Sequence, residues 1–372
     1  MEGSHASNGS IGIDVQAIEQ ELRDIWESLG KESEKQGQAL MRTCVLNVVA
    51  VAPTDPGGKE TIGTLGEVSS LHPSRLLILL PKTDSPQSSL HAMVTTQCHS
   101  AGSRSQVCCE QIVVSASGKG VKGLASAVRP LLVPDLPVVL YWRHQADFRS
   151  RIFLDLALTA DRVIVDSRRF RDSARGFQDL RGAIEELPGA SFSDLTWTQM
   201  NPWRRLVSGF YNIPDCRSWL GDLRNVQIEC ARSRRGQTGL PVQALLMAAW
   251  LSSRLEWKPQ GHFEWISDDS CRMELKAGGH RVTVTVRLLG GGEGLERIQL
   301  QSNTPGITFN VYLDQAREHL CSDIVASSKT RNARVSLLKT PSEAYLIARE
   351  LEILSRDQVF EQAARMAAEL AN

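Results

Sequence analysis

The segment Pro134–Ser167, PDLPVVLYWRHQADFRSRIFLDLALTADRVIVDS, constrains the fold more tightly than any other stretch of this chain. Two short apolar runs, Val138–Trp142 and Val163–Val165, are separated by a helix-length segment, Phe148–Thr159. That spacing predicts a parallel strand–helix–strand unit. Asp135 and Pro137 sit just before the first run, and Arg143 and His144 just after it. Asp166 and Ser167 follow the second. The carboxyl ends of parallel strands are where ligands and partners usually dock, so these polar groups lie where recognition or chemistry is expected. No nucleophile–base pair or metal-ligand cluster accompanies them in the sequence.

A parallel unit needs a domain around it, and 372 residues suggest two, or at most three. Lys plus Arg equals Asp plus Glu, at 42 each, so there is no global basic field for nucleic acid or an anionic membrane. The longest apolar runs, Leu76–Pro81 and Leu131–Leu140, are far shorter than the roughly 18–20 residues of a membrane span. The first ten residues, MEGSHASNGS, are polar and lack the apolar region of a signal peptide. They are expected to be a disordered lead-in. Without an export signal, the eight scattered cysteines are expected to be reduced thiols in a cytoplasm.

Local patterns fill in the rest. Val15, Ile18, Leu22, Ile25, Trp26 and Leu29 recur at helical steps, with Asp14 as a cap and Gly30 as a stop. Residues 31–39 read as a linker. Strands are expected near Cys44–Val51, Leu76–Leu80, Ala92–Cys98 and Gln106–Ser115, the last two forming a hairpin about Gly102–Ser103. Helices are expected near Glu60–Leu71, Val121–Leu131 and Arg168–Glu186, and Pro188-Gly189 marks a boundary. Beyond it come Trp-rich helices over Asp194–Tyr211 and Asp215–Arg224, a strand at Val226–Ala231 and a helix at Pro241–Trp257. Alternating strands follow over 262–338, then two helices announced by Thr340-Pro341-Ser342-Glu343 and Ser355-Arg356-Asp357-Gln358, which match the capping-box pattern. The predicted fold class is α/β. Residues 1–40 form a lead-in plus amphipathic helix, 41–189 a Rossmann-like mixed sheet with flanking helices, and 190–372 an α+β C-terminal domain.

Four segments in this order resemble one family. They are PDLPVVLYWR with DRVIVDS, Cys109-Glu110-Gln111-Ile112, Asp194-Leu195-Thr196-Trp197 running into Trp203-Arg204-Arg205-Leu206, and Leu245–Trp257. Together they span roughly residues 40 to 260 and are similar to the OpcA family of glucose-6-phosphate dehydrogenase assembly proteins. The resemblance implies a non-catalytic accessory protein without a cofactor, whose partner is glucose-6-phosphate dehydrogenase. Candidate partner contacts are Asp135, Trp142, Arg143 and Asp166 in the opening block, with Arg168 and Arg169 just beyond it. Trp203, Arg204 and Arg205 form a second candidate patch, because Trp and Arg are enriched in interface hot spots.

Other motifs are weaker. Gly118-Lys-Gly120-Val-Lys-Gly123 has the glycine spacing of a dinucleotide loop, and Arg143 on the next strand would suit a 2′-phosphate. An NADP- or sugar-phosphate-binding enzyme using this turn and the arginines of 168–175 is therefore the alternative reading. A flexible strand-to-helix turn is the favoured account of the glycines, because the spacing alone is a weak signal. If the hairpin forms about Gly102–Ser103, Cys98 faces Cys108 at a separation compatible with a disulfide. These two are candidate redox thiols, and buried reduced thiols are the default. No G-x-S-x-G, H-E-x-x-H or Walker loop is present.

Overall fold

The computed structural model describes residues 3–6, 13–37, 39–54, 57–100, 105–145, 147–233, 236–291, 293–314, 316, 318–327, 329–353 and 355–371. In chain order the elements begin with β1 (Gly3–Ala6), α1 (Val15–Lys35), β2 (Ala39–Arg42), β3 (Leu46–Val51), α2 (Gly57–Leu71), β4 (Ser74–Lys82), β5 (Ser89–Ser100) and β6 (Ser105–Ser117). Then come α3 (Leu124–Val128), β7 (Val138–Trp142), α4 (Arg151–Ala157), β8 (Arg162–Val165), α5 (Ser173–Glu186), β9 (Ser191–Asp194), α6 (Leu195–Gln199), α7 (Asn201–Phe210) and α8 (Arg217–Gly221). They continue with β10 (Leu223–Ala231), α9 (Val242–Arg254), β11 (Lys258–Pro259), β12 (Glu264–Ser267), β13 (Ser270–Ala277), β14 (His280–Leu289) and β15 (Leu295–Ser302). The last are β16 (Ile307–Leu313), β17 (His319–Ala326), β18 (Lys329–Leu337), α10 (Glu343–Leu351) and α11 (Gln358–Leu370).

The protein is α/β, with a largely parallel sheet flanked by helices and a second, mixed sheet. The first sheet runs β1-β5-β6-β4-β3-β7-β8-β9, with β2 beside β6. From β6 to β8 the neighbours are parallel. Strands buried on both faces are largely apolar on both, and β3 is buried at every position from Leu46 to Val51, its one polar residue, Asn47, donating to the carbonyls of Val133 and Leu136. Burying each such aliphatic side chain stabilises by roughly 1.5–3 kcal/mol. Counted outward from β3, the order β6-β4-β3-β7-β8 is the doubly wound 3-2-1-4-5, and the winding reverses between β3 and β7.

The chain packs into two compact units. One comprises Met1–Arg169, Ala183–Ser193 and Ser342–Arg356; the other comprises Phe170–Gly182, Asp194–Pro341 and Asp357–Asn372. The sequence predicts one change of domain at Pro188-Gly189, yet the chain changes unit at 169–170, 182–183, 193–194, 341–342 and 356–357. A physical reason is that α10 carries the acids that neutralise arginines of the first sheet. Glu350 Oε2 lies 3.4 Å from Arg162 Nη1, both buried, and Glu343 is described below.

Within the first unit, α1 starts as expected, with Asp14 accepting from Ala17 N. It runs through Gly30 and most of the expected linker to Lys35. The helix packs on its own unit, where Trp26 Nε1 donates to Glu110 Oε1 at 2.8 Å. Arg75 joins this group, lying 2.6 Å from Glu110 Oε2 and 3.0 Å from Glu19 Oε1. The expected lead-in is structured in part: Gly3–Ala6 pairs antiparallel with β5. The β5–β6 hairpin forms, with its turn residues Gly102–Ser103 outside the described residues. Its register places Cys98 opposite Cys108, and the two are joined by a disulfide. This departs from the expectation of eight reduced thiols, because directly opposed strand positions bring two Cβ atoms within bonding reach.

The second unit is built on a nine-stranded sheet ordered β11-β13-β14-β10-β15-β16-β17-β18, with β12 beside β13. Val282, Val284 and Val286 of β14 are buried, while Thr283 and Thr285 between them are half-exposed. Helix α9 is buried from Ala244 to Ser252, and Trp250 and Trp257 both lie in this core. The predicted single helix over Asp194–Tyr211 is three elements. Asp194 ends β9 and caps α6 through Trp197 N at 3.1 Å, and Pro202 opens α7.

Candidate functional site

The switch point between β3 and β7 is the candidate site. Tyr141 and Arg143, two residues apart on an extended backbone, project from the same face of β7. Arg143 N donates to Val51 O at the end of β3, which fixes the residue between the two strands. Its side chain is fully buried and surrounded by acceptors. Nε donates to Glu343 Oε1 at 2.8 Å, Nη1 donates to Gly57 O at 3.2 Å, and Nη2 lies 2.7 Å from Glu60 Oε2. Burial alone would lower the affinity of this guanidinium for its proton. The hydrogen bonds to Glu60 and Glu343 outweigh that and raise its pKa.

Glu343 is the hub. Its Oε1 also accepts from Tyr141 OH at 2.9 Å, and its Oε2 lies 3.3 Å from Arg168 Nη2 and 3.4 Å from Arg169 Nη2. Burial would raise this carboxyl, but Arg143, Tyr141 and Arg169 hold it below the usual carboxylate range. Tyr141 is pushed well above its usual range by burial, then by the charges of Asp166 and Glu343. Asp166, immediately after β8, is buried and pairs with both neighbouring arginines. It accepts from Arg168 N, Nε and Nη2 at 3.2, 2.6 and 2.9 Å, and from Arg169 Nε at 3.0 Å. Three guanidinium groups thus meet the carboxylates of Glu60, Asp166 and Glu343 in one charge-balanced cluster.

This geometry alters two sequence expectations. Ser167–Arg169 is a short 3₁₀ turn, and α5 begins only at Ser173. The expected helix therefore does not start at Arg168, and the anion held by Arg168 and Arg169 is the chain's own Asp166. Thr340 does not cap α10 either. Ser342 does, accepting from Tyr345 N at 3.2 Å, which moves Glu343 from the third to the first position of the helix and aims it at the arginines.

The glycine turn offers no phosphate cradle. Gly118–Gly123 is a 3₁₀ turn followed by the five-residue α3. At Gly118, whose φ is +53°, the place a Cβ would take lies 3.0 Å from the carbonyl oxygens of Ser85 and Gln87 and 2.9 Å from Ser88 Oγ. Carbonyl oxygens repel an anion, where a dinucleotide loop presents N–H groups. At the switch point itself, Arg143 occupies the space beside Gly57 and bonds its carbonyl. Among the described residues, neither glycine turn fits a dinucleotide.

The other candidates separate. Asp135 is exposed, with φ +62°, in the turn before β7, away from the carboxyl ends of the strands. Trp142 is buried on the opposite face of β7, edge-on to Phe153 at 5.0 Å, and its Nε1 donates to Gln145 O. In the second unit, Trp203 is buried, and Arg204 lies 3.3 Å from the Trp197 ring centroid while donating to Trp197 O at 3.0 Å. Of that patch only Arg205 is exposed, because the helical period turns its two neighbours inward. Trp265 and Ile266 on β12 are 53% and 54% exposed and escaped the sequence reading, since they sit among polar residues without apolar periodicity.

Comparison with known proteins now bears on this geometry. Residues 66–182 match the family described as "Glucose-6-phosphate dehydrogenase subunit N-terminal domain", and residues 190–364 match its "C-terminal domain" counterpart. Two cyanobacterial proteins are named "Putative OxPP cycle protein OpcA". The one from Nostoc punctiforme is 27% identical over 270 residues, covering 67% of this chain and 56% of that protein. The one from Synechocystis is 23% identical over 319 residues, covering 82% of this chain and 64% of that protein. The match thus spans less than two thirds of either relative. Among solved structures, the 3-ketoreductase KijD10 from Actinomadura kijaniata, with TDP-benzene and NADP in an open conformation, aligns with a TM-score of 0.51 at 11% identity. The alignment covers 88% of this chain and 95% of that one, a likeness of fold alone.

Proposed function

Because this chain belongs to the OpcA family of glucose-6-phosphate dehydrogenase assembly proteins, we propose that it is a non-catalytic accessory protein that binds that dehydrogenase in the cytoplasm and favours its active assembly. The observation that carries this reading is the switch point. Where a Rossmann enzyme recognises a ligand, Arg143, Arg168 and Arg169 are neutralised by the chain's own Glu60, Asp166 and Glu343.

An accessory protein of this kind shifts a population. It acts only as far as it binds the active assembly better than the inactive form. A difference of about 1–3 kcal/mol gives a coupling of roughly 5- to 150-fold. Through its partner the protein would govern entry into the oxidative pentose phosphate pathway and the supply of NADPH. Asp135 and Arg205, both exposed, remain candidate contacts, and Trp265 and Ile266 join them. The test is to titrate the protein into the glucose-6-phosphate dehydrogenase of the same cell, following NADPH production and molar mass together. A faster rate or a defined larger complex is expected. Unchanged rate and two separate species would discard the reading.

A further inference from the structure

We propose that β18, the free edge of the second sheet, takes up an extended acidic segment of the partner as an added strand. The sequence of β18 is KTRNARVSL, with three cations and no acid. Among the described residues it pairs only with β17, in a register that shifts between Ser322 and Ile324, and it ends the strand order. An edge strand presents a row of unpaired N–H and C=O groups, so natural edges are kept short or covered. This one is nine residues long, and every residue whose burial is described is exposed.

Two features make it more than a guarded edge. Lysine or arginine alone would protect an edge from aggregation. Here Val335 and Leu337, 67% and 59% exposed, sit on one face of the strand, beside the cations. Val335 continues a cross-strand row of Arg297, Tyr312 and Cys321, in which the Arg297 guanidinium lies 4.8 Å from the Tyr312 ring centroid. Apolar positions alternating along an open strand are what strand addition reads for specificity. Among the described residues, none of Lys329, Arg331 and Arg334 has an acidic partner. Two copies pairing edge to edge would crowd their cations into one ribbon. The charge therefore rejects a second copy and selects a segment rich in Asp or Glu, with apolar residues at alternate positions.

Naming glucose-6-phosphate dehydrogenase as that partner rests on the reading above. The experiment measures binding of the full chain to the cognate dehydrogenase by calorimetry, at about 0.05 M and 0.5 M salt, because exposed charges are screened over a few ångströms at the higher value. The variants are Arg331→Glu with Arg334→Glu, and Val335→Ser with Leu337→Ser. The charge variant is expected to bind about tenfold or more weakly at low salt, with the gap closing at high salt. The serine variant is expected to bind more weakly at both. Thermal unfolding checks that each is folded, and Arg331→Gln with Arg334→Gln replaces the charge reversal if it is not. Variants that bind like the wild type overturn the inference and leave the accessory role standing. A wild type that does not bind removes both.

Discussion

Arg143 and Glu343 carry opposite charges into a largely buried place, and each is tolerable because of its partners, Glu343 and Glu60 for the arginine and three arginines for the glutamate. Arg143 has no exposed side-chain surface and Glu343 is 17% exposed. Breaking such a pair costs about 3–5 kcal/mol because one uncompensated charge stays buried. Glu343→Gln, which keeps the shape, is expected to lower unfolding free energy by about 3 kcal/mol in urea titration. Tyr141→Phe removes one hydrogen bond to the same carboxylate and is expected to cost about 1 kcal/mol. The pH dependence has a defined sign. Arg143 and its neighbours hold the folded pKa of Glu343 below its unfolded value near 4.5. The stability this contributes is present above that value and is lost as the pH falls through the folded pKa. In acid titration followed by circular dichroism, Glu343→Gln is therefore expected to flatten the fall below pH 4.5 relative to wild type.

At the scale of elements, the hairpin of β5 and β6 is closed by Cys98 and Cys108, ten residues apart. Constraining a loop of this size removes unfolded-state entropy equivalent to roughly 2–3 kcal/mol. Reducing agent is expected to lower the unfolding midpoint and speed hydrogen exchange in this hairpin, with no further effect in Cys98→Ser. Asp357→Ala is expected to cost about 2 kcal/mol, since Asp357 both caps α11 through Phe360 N and accepts from Trp197 Nε1. What the sequence discloses follows from which forces are local. Val138–Trp142 coincides with β7, because a strand buried on both faces needs an unbroken apolar run. Asp14 caps α1 within four residues, a contact set by spacing alone. Gly30 fails as a stop because the helix is held from outside by Trp26 and Glu19, on β6 and β4 side chains more than fifty residues away. The ends of β7 and β8 were legible as a candidate site, since strand termini are marked by the loss of apolar residues. Glu343 was not, because its partners lie 174 to 202 residues upstream and no local pattern encodes that approach.

For the molecule as a whole, the accessory role and the enzyme alternative make opposite demands on one tryptophan. Trp142 borders the switch point, so a nucleotide bound there would perturb its emission. Titration with millimolar NADPH is expected to leave protein fluorescence unchanged. A saturable change would reinstate the alternative. Among the described residues no helix is long and apolar enough to cross a membrane. The path of the chain through its two units adds a matter of timing. Arg143, Arg168 and Arg169 are synthesised early, and Glu343 nearly two hundred residues later. At about 5–20 residues per second, a nascent chain carries these arginines without the Glu343 carboxylate for roughly 10–40 seconds. During that interval the centre of the first unit lacks the acid that its three arginines share, although every strand of both sheets is made before that acid is.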